Sequence, residues 1–279
     1  MTQKTNKNVG HGFQPDTITD ENYIFGGYTK LPEEILQPNG QWDEFLPEIE
    51  FQERNGLETM NCVVYGTLNA LEALFKRLFK REINKSERYI GVMAETTPAG
   101  NSPQKVIEII RKTAGLIDEE ILPFDSSINT WKEYYSPDPM TDNFIKIGKK
   151  WLQDYSVQHE WVFKPGDKNK QNKLKDALKY SPVGVSVYAW MEDKNGLCYK
   201  PAGVEDNHWV MLYGWDKRGW KVFDHYDDTF KKLKFDYDFG FAKRYYLKKN
   251  KSEAENKKRS IWEIIKNYFL NLWMTHKTS

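Results

Sequence analysis

The sequence predicts an α+β fold in which a helical lobe is followed by a lobe of antiparallel strands, with a cleft between the two. Between residues 62 and 155, apolar side chains recur at steps of three and four, as in helices that bury one face. Between residues 160 and 247, short runs of β-branched and aromatic residues are separated by turn residues, which is typical of strands. The change of period near residue 155 therefore separates the lobes.

The first predicted helix begins at Cys62 and ends near Phe79. Its apolar stripe consists of Val64, Leu68, Leu71, Phe75, Leu78 and Phe79. The basic residues near its end, within 76–81, suit the negative pole of the helix dipole. Ser86 is a candidate N-cap for a second helix that extends to about Glu95.

Two further helices complete the predicted helical lobe. Ser102 is a candidate N-cap and Pro103 suits the first helical position. Gly115 follows the last periodic residues of this helix and can adopt the left-handed conformation that ends many helices. The last helix of the lobe is predicted over residues 142–155.

The second lobe contains the predicted strands. They cover residues 160–163, 183–190, 208–215, 220–225 and 241–247, with a further strand at Phe235 and a short helix over 172–180. The turn Asp216-Lys217-Arg218-Gly219 joins two of these strands into a β-hairpin. Another short strand is predicted over residues 48–51, ahead of the first helix.

Length, charge and cysteine content narrow the class of protein. The chain has 279 residues, with 41 Lys and Arg against 40 Asp and Glu, and this balance argues against a dedicated nucleic-acid binder. Two cysteines, Cys62 and Cys198, favour a reducing compartment. Residues 1–8 lack a signal-peptide core, and no apolar run reaches the roughly 18 residues that span a membrane. We therefore expect a cytoplasmic protein without a nucleic-acid partner, metal or cofactor.

Cys62 is a candidate nucleophile because it stands at the first turn of a predicted helix. The unpaired N–H groups and the dipole at that end favour a thiolate, and with a histidine partner they can lower its pKa into the range of roughly 3.5–7.5. The alternative is that Cys62 is a small buried apolar residue at a helix start, as free cysteines often are.

His208 is the candidate base among five histidines, because it joins the polar loop 205–207 to a predicted strand. A strand end beside a loop can hold a side chain rigidly and leave it accessible. The return strand of the hairpin delivers Asp224, whose carboxylate could orient the imidazole. His225 is the rival base, but continued strand alternation would direct it to the opposite face from Asp224. The remaining histidines are His11, His159 and His276.

In the order of Cys, His and Asp, residues from about 47 to 247 resemble the papain-like cysteine peptidases. The similarity is closest in Asn207-His208-Trp209-Val210-Met211-Leu212-Tyr213-Gly214-Trp215, which looks like the family's Asn-His-(apolar)-Gly-(aromatic) strand. Asp224 lies sixteen residues after His208, where the family places its Asn. Residues 100–124 and 181–185 look like a later helix of the first lobe and the opening strand of the second. The similarity is nearest to bacterial or phage-encoded intracellular members.

The resemblance implies a papain-like fold with the active site between its two lobes. It implies that Cys62 is the nucleophile, that His208 is the base and then the acid for the leaving amine, and that Asp224 orients the imidazole. The reaction would be acyl transfer to water through a thioester, with a peptide or protein as the substrate.

The chain departs from the family just ahead of Cys62. The family has a Gln six residues before its Cys that donates to the oxyanion, and that position here is Gly56. Gln52, ten residues before Cys62, is the first candidate for this donor, and Asn55 is the alternative. Residues 60–64 also lack the Gly-, Cys- and Trp-containing surround of the family's nucleophile.

The sequence divides into four predicted segments. Residues 1–50 wrap the body, 51–247 form the papain-like domain, 248–259 form a basic linker, and 260–279 form an amphipathic helix that opens with the capping box Ser260-Ile261-Trp262-Glu263. The apolar face of this helix contains Ile261, Ile264, Ile265, Tyr268, Phe269, Leu272 and Trp273. It either docks on the body or, through its 260–273 stretch, contacts a membrane surface or a partner.

Three functions are compatible with this pattern. The leading hypothesis is a cysteine peptidase with a Cys-His-Asp triad. A cell-wall peptide amidase or an acyltransferase would use the same order of residues. The third is a non-catalytic papain-like protein, for instance a structural protein of a virion if the chain is phage-encoded, and the altered segment before Cys62 keeps this alternative open.

Overall fold

The computed structural model describes residues 12–19, 22, 24–25, 34–136, 142–226 and 230–250. The α-helices are α1 (Cys62–Phe79), α2 (Glu87–Met93), α3 (Pro103–Ile109), α4 (Trp131–Tyr135), α5 (Asp142–Asp154) and α6 (Lys170–Ala177). The strands are β1 (Glu53–Arg54), β2 (Leu57–Glu58), β3 (Tyr155–Trp161), β4 (Val183–Val187), β5 (His208–Asp216), β6 (Gly219–Phe223), β7 (Phe230–Leu233) and β8 (Ala242–Lys249). The predicted α+β fold, helices followed by antiparallel strands, is confirmed.

Helix α1 lies at the centre of the molecule. The sequence predicts one apolar stripe, but every residue from Cys62 to Phe75 is buried. The helix contacts α2 and α3 on the helical side and β4, β5 and β8 on the sheet side. Small residues such as Gly66, Ala70 and Ala73 lie between the large apolar ones, so neighbouring elements can approach α1 from all directions.

The predicted N-caps of the first lobe are confirmed. The Oγ of Ser86 accepts the backbone N–H of Tyr89 at 3.1 Å, and the Oγ of Ser102 accepts that of Lys105 at 3.0 Å. Gly115 ends the helical segment that continues α3 with a positive φ of 62°, but its ψ of −157° differs from that of the left-handed helical conformation.

The second lobe is built on a six-stranded antiparallel sheet with the strand order β3-β8-β4-β5-β6-β7. The hairpin of β5 and β6 was predicted, and Asp216 pairs with Gly219 at its turn. The predictions of strands over residues 48–51 and at Phe235 were wrong, because both lie outside the strands. Ile49 is 48% exposed, so the alternation around it does not reflect a buried strand face.

The C-terminal end of the described chain bears on two of the predicted segments. Strand β8 extends through Lys249, two residues into the predicted basic linker. Residues 251–279 lie outside the described residues, so the amphipathic helix predicted over 260–279 stays a prediction. In the described part of the chain, no helix combines the length and the apolar character needed to cross a membrane.

A buried ion pair joins the two outer strands on one side of the sheet. Glu160 on β3 pairs in register with Arg244 on β8, and their side chains contact at 2.6 Å with only 1% and 3% exposure. The guanidinium also lies 4.7 Å from the ring centre of Tyr180. Both charges are therefore removed from water and compensate each other.

We predict that Arg244→Met lowers the free energy of unfolding by about 3–5 kcal/mol, because it leaves the Glu160 carboxylate buried without its counter-charge. The double variant Arg244→Met with Glu160→Leu should recover most of this loss, since both charges are then gone. Urea denaturation measures both values. Equal destabilisation in the single and the double variant would contradict the prediction.

Candidate active site

Cys62 is the first residue of α1, and its position is fixed by the residue before it. The side-chain amide of Asn61 donates to the carbonyl of Glu87 at 3.0 Å and to the hydroxyl of Tyr134 at 3.1 Å. The backbone N–H groups of Trp209 and Val63 lie near enough to the Cys62 sulfur to lower the pKa of its thiol. The sulfur therefore lies against the beginning of β5.

His208 is the first residue of β5, directly before Trp209, whose indole packs against Gly66 of α1. Its Nε2 lies 2.8 Å from Oδ1 of Asp224, the residue that follows β6. The hairpin brings these two residues together because β6 returns antiparallel to β5. Nδ1 is then the ring nitrogen of His208 that is not committed to Asp224.

Asp224 is held by several donors in a fully buried position. The indole N–H of Trp190 donates to Oδ2 at 2.7 Å, and the backbone N–H of His225 donates to Oδ1 at 2.8 Å. The ammonium group of Lys231 lies 4.0 Å from Oδ2. Burial raises the pKa of the Asp224 carboxyl, whereas the charges of His225 and Lys231 and the hydrogen bonds oppose this shift. The donors therefore compensate part of the cost of placing a carboxylate in the core.

His225 does not point away from the site, so that expectation was wrong. Strand β6 ends at Phe223, and the alternation of side chains therefore no longer applies two residues later. The His225 ring stacks on Tyr65 with centroids 5.2 Å apart and lies 4.9 Å from the His208 ring. Asp224 contacts the ring of His208 but the backbone of His225, which makes His208 the imidazole that the carboxylate orients.

Two aromatic residues that the sequence analysis missed enclose the imidazole. The rings of Trp190 and Tyr226 each meet the His208 ring edge to face, with centroids 5.9 Å apart in both cases. The only signal in the sequence is that Tyr226 lies two residues after Asp224. Trp190 follows the end of β4, and nothing in its local sequence indicates a position beside His208.

Gln52 and Asn55, the two candidate oxyanion donors, occupy different places. Gln52 is fully buried, and its backbone N–H donates to the carbonyl of His225 at 3.0 Å. Asn55 lies at the turn between β1 and β2 with φ of 56°, and its amide donates to the carbonyls of Asp125 and Ile128. The β1–β2 hairpin takes up the residues between Gln52 and Cys62, and Gln52 remains beside His225.

Glu58 connects this loop to the aromatic residues around His208. Its Oε1 accepts the side-chain N–H of Gln52 at 2.6 Å and the backbone N–H of Met60 at 2.7 Å, and its Oε2 accepts the hydroxyl of Tyr226. Burial raises the pKa of the Glu58 carboxyl, although these hydrogen bonds favour its ionised form. The sequence analysis did not identify Glu58, because its role depends on the fold of the loop.

An N-terminal segment, residues 12–14, packs against Trp209 and against Met60, two residues before Cys62. The Phe13 ring stacks on the indole of Trp209 with centroids 5.7 Å apart and an angle of 11°. The backbone N–H of Asn101 donates to Gly12 at 2.8 Å, and its carbonyl accepts the N–H of Gln14 at 2.9 Å. A Cβ on Gly12 would collide with the carbonyl of Met60, so the segment packs directly against the residues before Cys62.

The sulfur is enclosed in this arrangement, and its protonation state follows from that. Burial raises the pKa of the Cys62 thiol well above its usual value, and the carboxylates of Glu58 and Asp224 add to the shift. The backbone donors from Trp209 and Val63 act in the opposite direction. In this closed arrangement Cys62 is therefore a thiol.

Comparison with known proteins identifies the fold. No protein-family model and no curated protein matches the chain. Among solved structures, the Amb a 11 cysteine protease of ragweed pollen in its proform has 15% sequence identity and a TM-score of 0.55, over 82% of this chain and 70% of that one. Procathepsin L 3 from the larval midgut of Tenebrio molitor has 15% identity and a TM-score of 0.56, over 85% and 76%. Bromelain from Ananas comosus with the E64 inhibitor has 16% identity and a TM-score of 0.54, over 75% and 98%.

These similarities agree with the element order described above. At such low identity the likeness establishes the fold and not the chemistry. The helical lobe, the central helix that opens with Cys62, and the antiparallel sheet together form the papain-like α+β fold of these cysteine proteases.

Proposed function

We propose that this protein is a cysteine peptidase that hydrolyses peptide bonds, with Cys62 as nucleophile, His208 as general base and acid, and Asp224 as the orienting group. One observation carries the proposal. The Nε2 of His208 lies 2.8 Å from Oδ1 of Asp224, while the next residue along β5, Trp209, packs against the helix that begins at Cys62. A nucleophile, a base and an orienting group in this relation are the requirements of acyl transfer.

The reaction would proceed in two steps. His208 takes the proton of Cys62, and the thiolate attacks the scissile carbonyl carbon to form a tetrahedral intermediate. The intermediate collapses to a thioester as His208 returns the proton to the leaving amine. His208 then takes a proton from water, the hydroxide attacks the thioester, and the carboxylic acid product and the thiol are released.

The oxyanion of the intermediate would be stabilised at the start of α1. The backbone N–H of Cys62 is one of the first helical N–H groups, which have no partner within the helix. The side-chain NH2 of Gln52 carries two hydrogens, so it can donate to Glu58 and to an oxyanion at the same time. Glu58 is thus in a position to hold Gln52 in place as the second donor.

The first prediction concerns the thiol itself. Cys62→Ala should lower kcat/KM for casein or a fluorogenic peptide by at least about 10³-fold, because the covalent step is lost. Cys198→Ala is the matched control, since Cys198 is also buried but lies outside the site, and it should retain activity. Iodoacetamide should label Cys62 faster than Cys198 at neutral pH, as measured by peptide mass spectrometry.

The same measurements distinguish the alternative functions. Labelling of Cys62 no faster than Cys198, with no hydrolysis of any substrate, would refute the peptidase proposal and favour a non-catalytic protein. Selective labelling of Cys62 together with cleavage of peptidoglycan peptides, but not of casein, would indicate a cell-wall amidase with the same triad.

The second prediction tests the oxyanion donor and its support. Gln52→Ala should lower kcat by about 10²–10³-fold, because one donor to the oxyanion is lost. Glu58→Ala should lower kcat through the loss of the acceptor that holds Gln52. Glu58→Gln should restore most of the activity, since its carbonyl oxygen can still accept from Gln52 and Met60.

Steady-state kinetics on the double variant provide the control. If Glu58 acts through Gln52, adding Glu58→Ala to Gln52→Ala should cost little more than Gln52→Ala alone. Multiplicative losses in the double variant, or a loss confined to KM, would contradict this arrangement of the two residues.

The third prediction concerns the N-terminal segment that packs against Trp209 and Met60. Phe13→Ala should raise the rate at which iodoacetamide modifies Cys62 by roughly 10–100-fold, because loss of a buried aromatic side chain weakens closure by about 1.5–3 kcal/mol. Deletion of residues 1–19 should have an effect at least as large. The exposed Thr17→Ala is the matched control and should leave the rate unchanged. An unchanged rate in both test variants would show that other residues enclose the sulfur.

A further inference from the structure

Three glutamates from separate segments converge in the helical lobe. Glu50 precedes β1, Glu87 opens α2, and Glu119 begins the short 3-10 helix Glu119–Ile121. One carboxylate oxygen from each lies within 4.8 Å of those of the other two. We call these three residues the glutamate cluster.

Glu87 is the buried member of the cluster, with 2% exposure. Its Oε1 has no hydrogen-bond partner among the residues that the structure describes. A buried carboxylate oxygen without a partner is costly, since it has lost its water and received no donor in return. Because this carboxylate meets those of Glu50 and Glu119, the geometry points to a bound positive group between the three.

The neighbouring side chains provide only part of the balancing charge. Arg54 lies 3.6 Å from Oε1 of Glu50 and also donates to the carbonyls of Phe51 and Phe124. The nearby Lys85 forms an ion pair with Asp118 instead. Glu72 adds a further buried carboxylate beside the cluster, and Arg88 adds a positive charge near Glu119, so negative groups still outnumber the positive ones around the cluster. Burial and the neighbouring glutamates raise the pKa of Glu87 well above its ordinary value and that of Glu119 to about 7.

We propose that the glutamate cluster binds a divalent cation of the calcium type. The ligands are carboxylate oxygens, which hard cations prefer, and Zn²⁺ sites by contrast are usually rich in nitrogen or sulfur. Calcium–oxygen distances of about 2.3–2.6 Å place opposite ligands at most roughly 5 Å apart. The three carboxylate oxygens of the cluster, which lie within 4.8 Å of one another, fit this separation. A divalent cation would also offset the excess of negative charge around the cluster.

The cation would add to the hydrogen bonds that already join the start of α2 to residues 117–122 and Asn84 to Glu50. Glu50 lies two residues before Gln52, so a cation at the cluster would fix the chain that leads into the candidate oxyanion loop. Glu87 and Glu119 would anchor that chain to α2 and to the 3-10 helix that follows α3. The inference concerns binding and stability, and it does not depend on the proposed peptidase activity.

Calcium binding to the full chain tests the proposal directly. After treatment with EDTA and dialysis, addition of millimolar CaCl2 should raise the midpoint of thermal unfolding by roughly 5–10 °C, since a ligand that binds only the folded state stabilises it. Isothermal titration calorimetry with CaCl2 should give about one site per chain. MgCl2 should bind more weakly, because Mg²⁺ demands shorter distances and retains its waters.

Two charge-removing variants separate ligation from general electrostatics. Glu87→Gln should weaken calcium binding at least about 10-fold and abolish the thermal shift, because a ligand is removed. In EDTA the same variant should unfold at the wild-type midpoint or above it, since it buries one charge fewer. Glu72→Gln is the matched control: Glu72 is buried beside the cluster, but its Oε1 already accepts the backbone N–H of Lys85 at 2.8 Å. This variant should retain the calcium-induced shift.

Two outcomes would overturn the proposal. Absence of calorimetric binding and of any thermal shift up to 10 mM CaCl2 would show that protons, and not a cation, neutralise the cluster. Equal loss of binding in Glu72→Gln and Glu87→Gln would show a diffuse attraction without a defined site. Both outcomes leave the labelling test of Cys62 unaffected, so the two proposals fail independently.

Discussion

The close approach of α1 to β5 is the constraint on which the candidate active site depends. Gly66 lies one turn after Cys62 on the same face of α1, and a Cβ there would lie 2.9 Å from the Trp209 indole and 3.2 Å from the Cα of Val210. A larger residue would push the helix away from the strand. Because Cys62 begins α1 and His208 begins β5, that displacement would also separate the sulfur from the strand that carries the imidazole.

The buried setting of His208 and Asp224 has a cost that their neighbours offset. Asp224 and His208 are both fully buried, and an isolated carboxylate there would be strongly unfavourable. Trp190 and the His225 backbone donate to the carboxylate, and Lys231 contributes a charge at 4.0 Å. The Cys62 thiol receives less compensation, and its raised pKa follows. Opening the site to water would lower this penalty, so access of substrate and activation of the nucleophile are coupled in this arrangement.

The sequence was sufficient to predict the features that depend on local residue patterns and on the order of residues along the chain. Short-range signals predict the start of α1 at Cys62 and the caps at Ser86 and Ser102. They also predict the hairpin that brings His208 to Asp224. The direction of His225 could not be predicted, because it depends on where β6 stops. The contacts of Trp190, Tyr226 and Glu58 join loops that are distant in sequence, so no local signal predicts them. Phe13 stacks on Trp209 from a segment whose sequence shows no helical or strand periodicity.

The segment from Glu50 to Cys62 links two acidic centres, and each of its ends is fixed by different contacts. At one end Glu50 joins the glutamate cluster, and at the other Glu58 accepts from Gln52, Met60 and Tyr226. Between them the β1–β2 hairpin accommodates the extra residues at a turn. A longer loop costs little additional chain entropy if both of its ends are fixed. Glu58, together with the hydrogen bond from the Gln52 backbone N–H to the His225 carbonyl, therefore holds Gln52 within this segment.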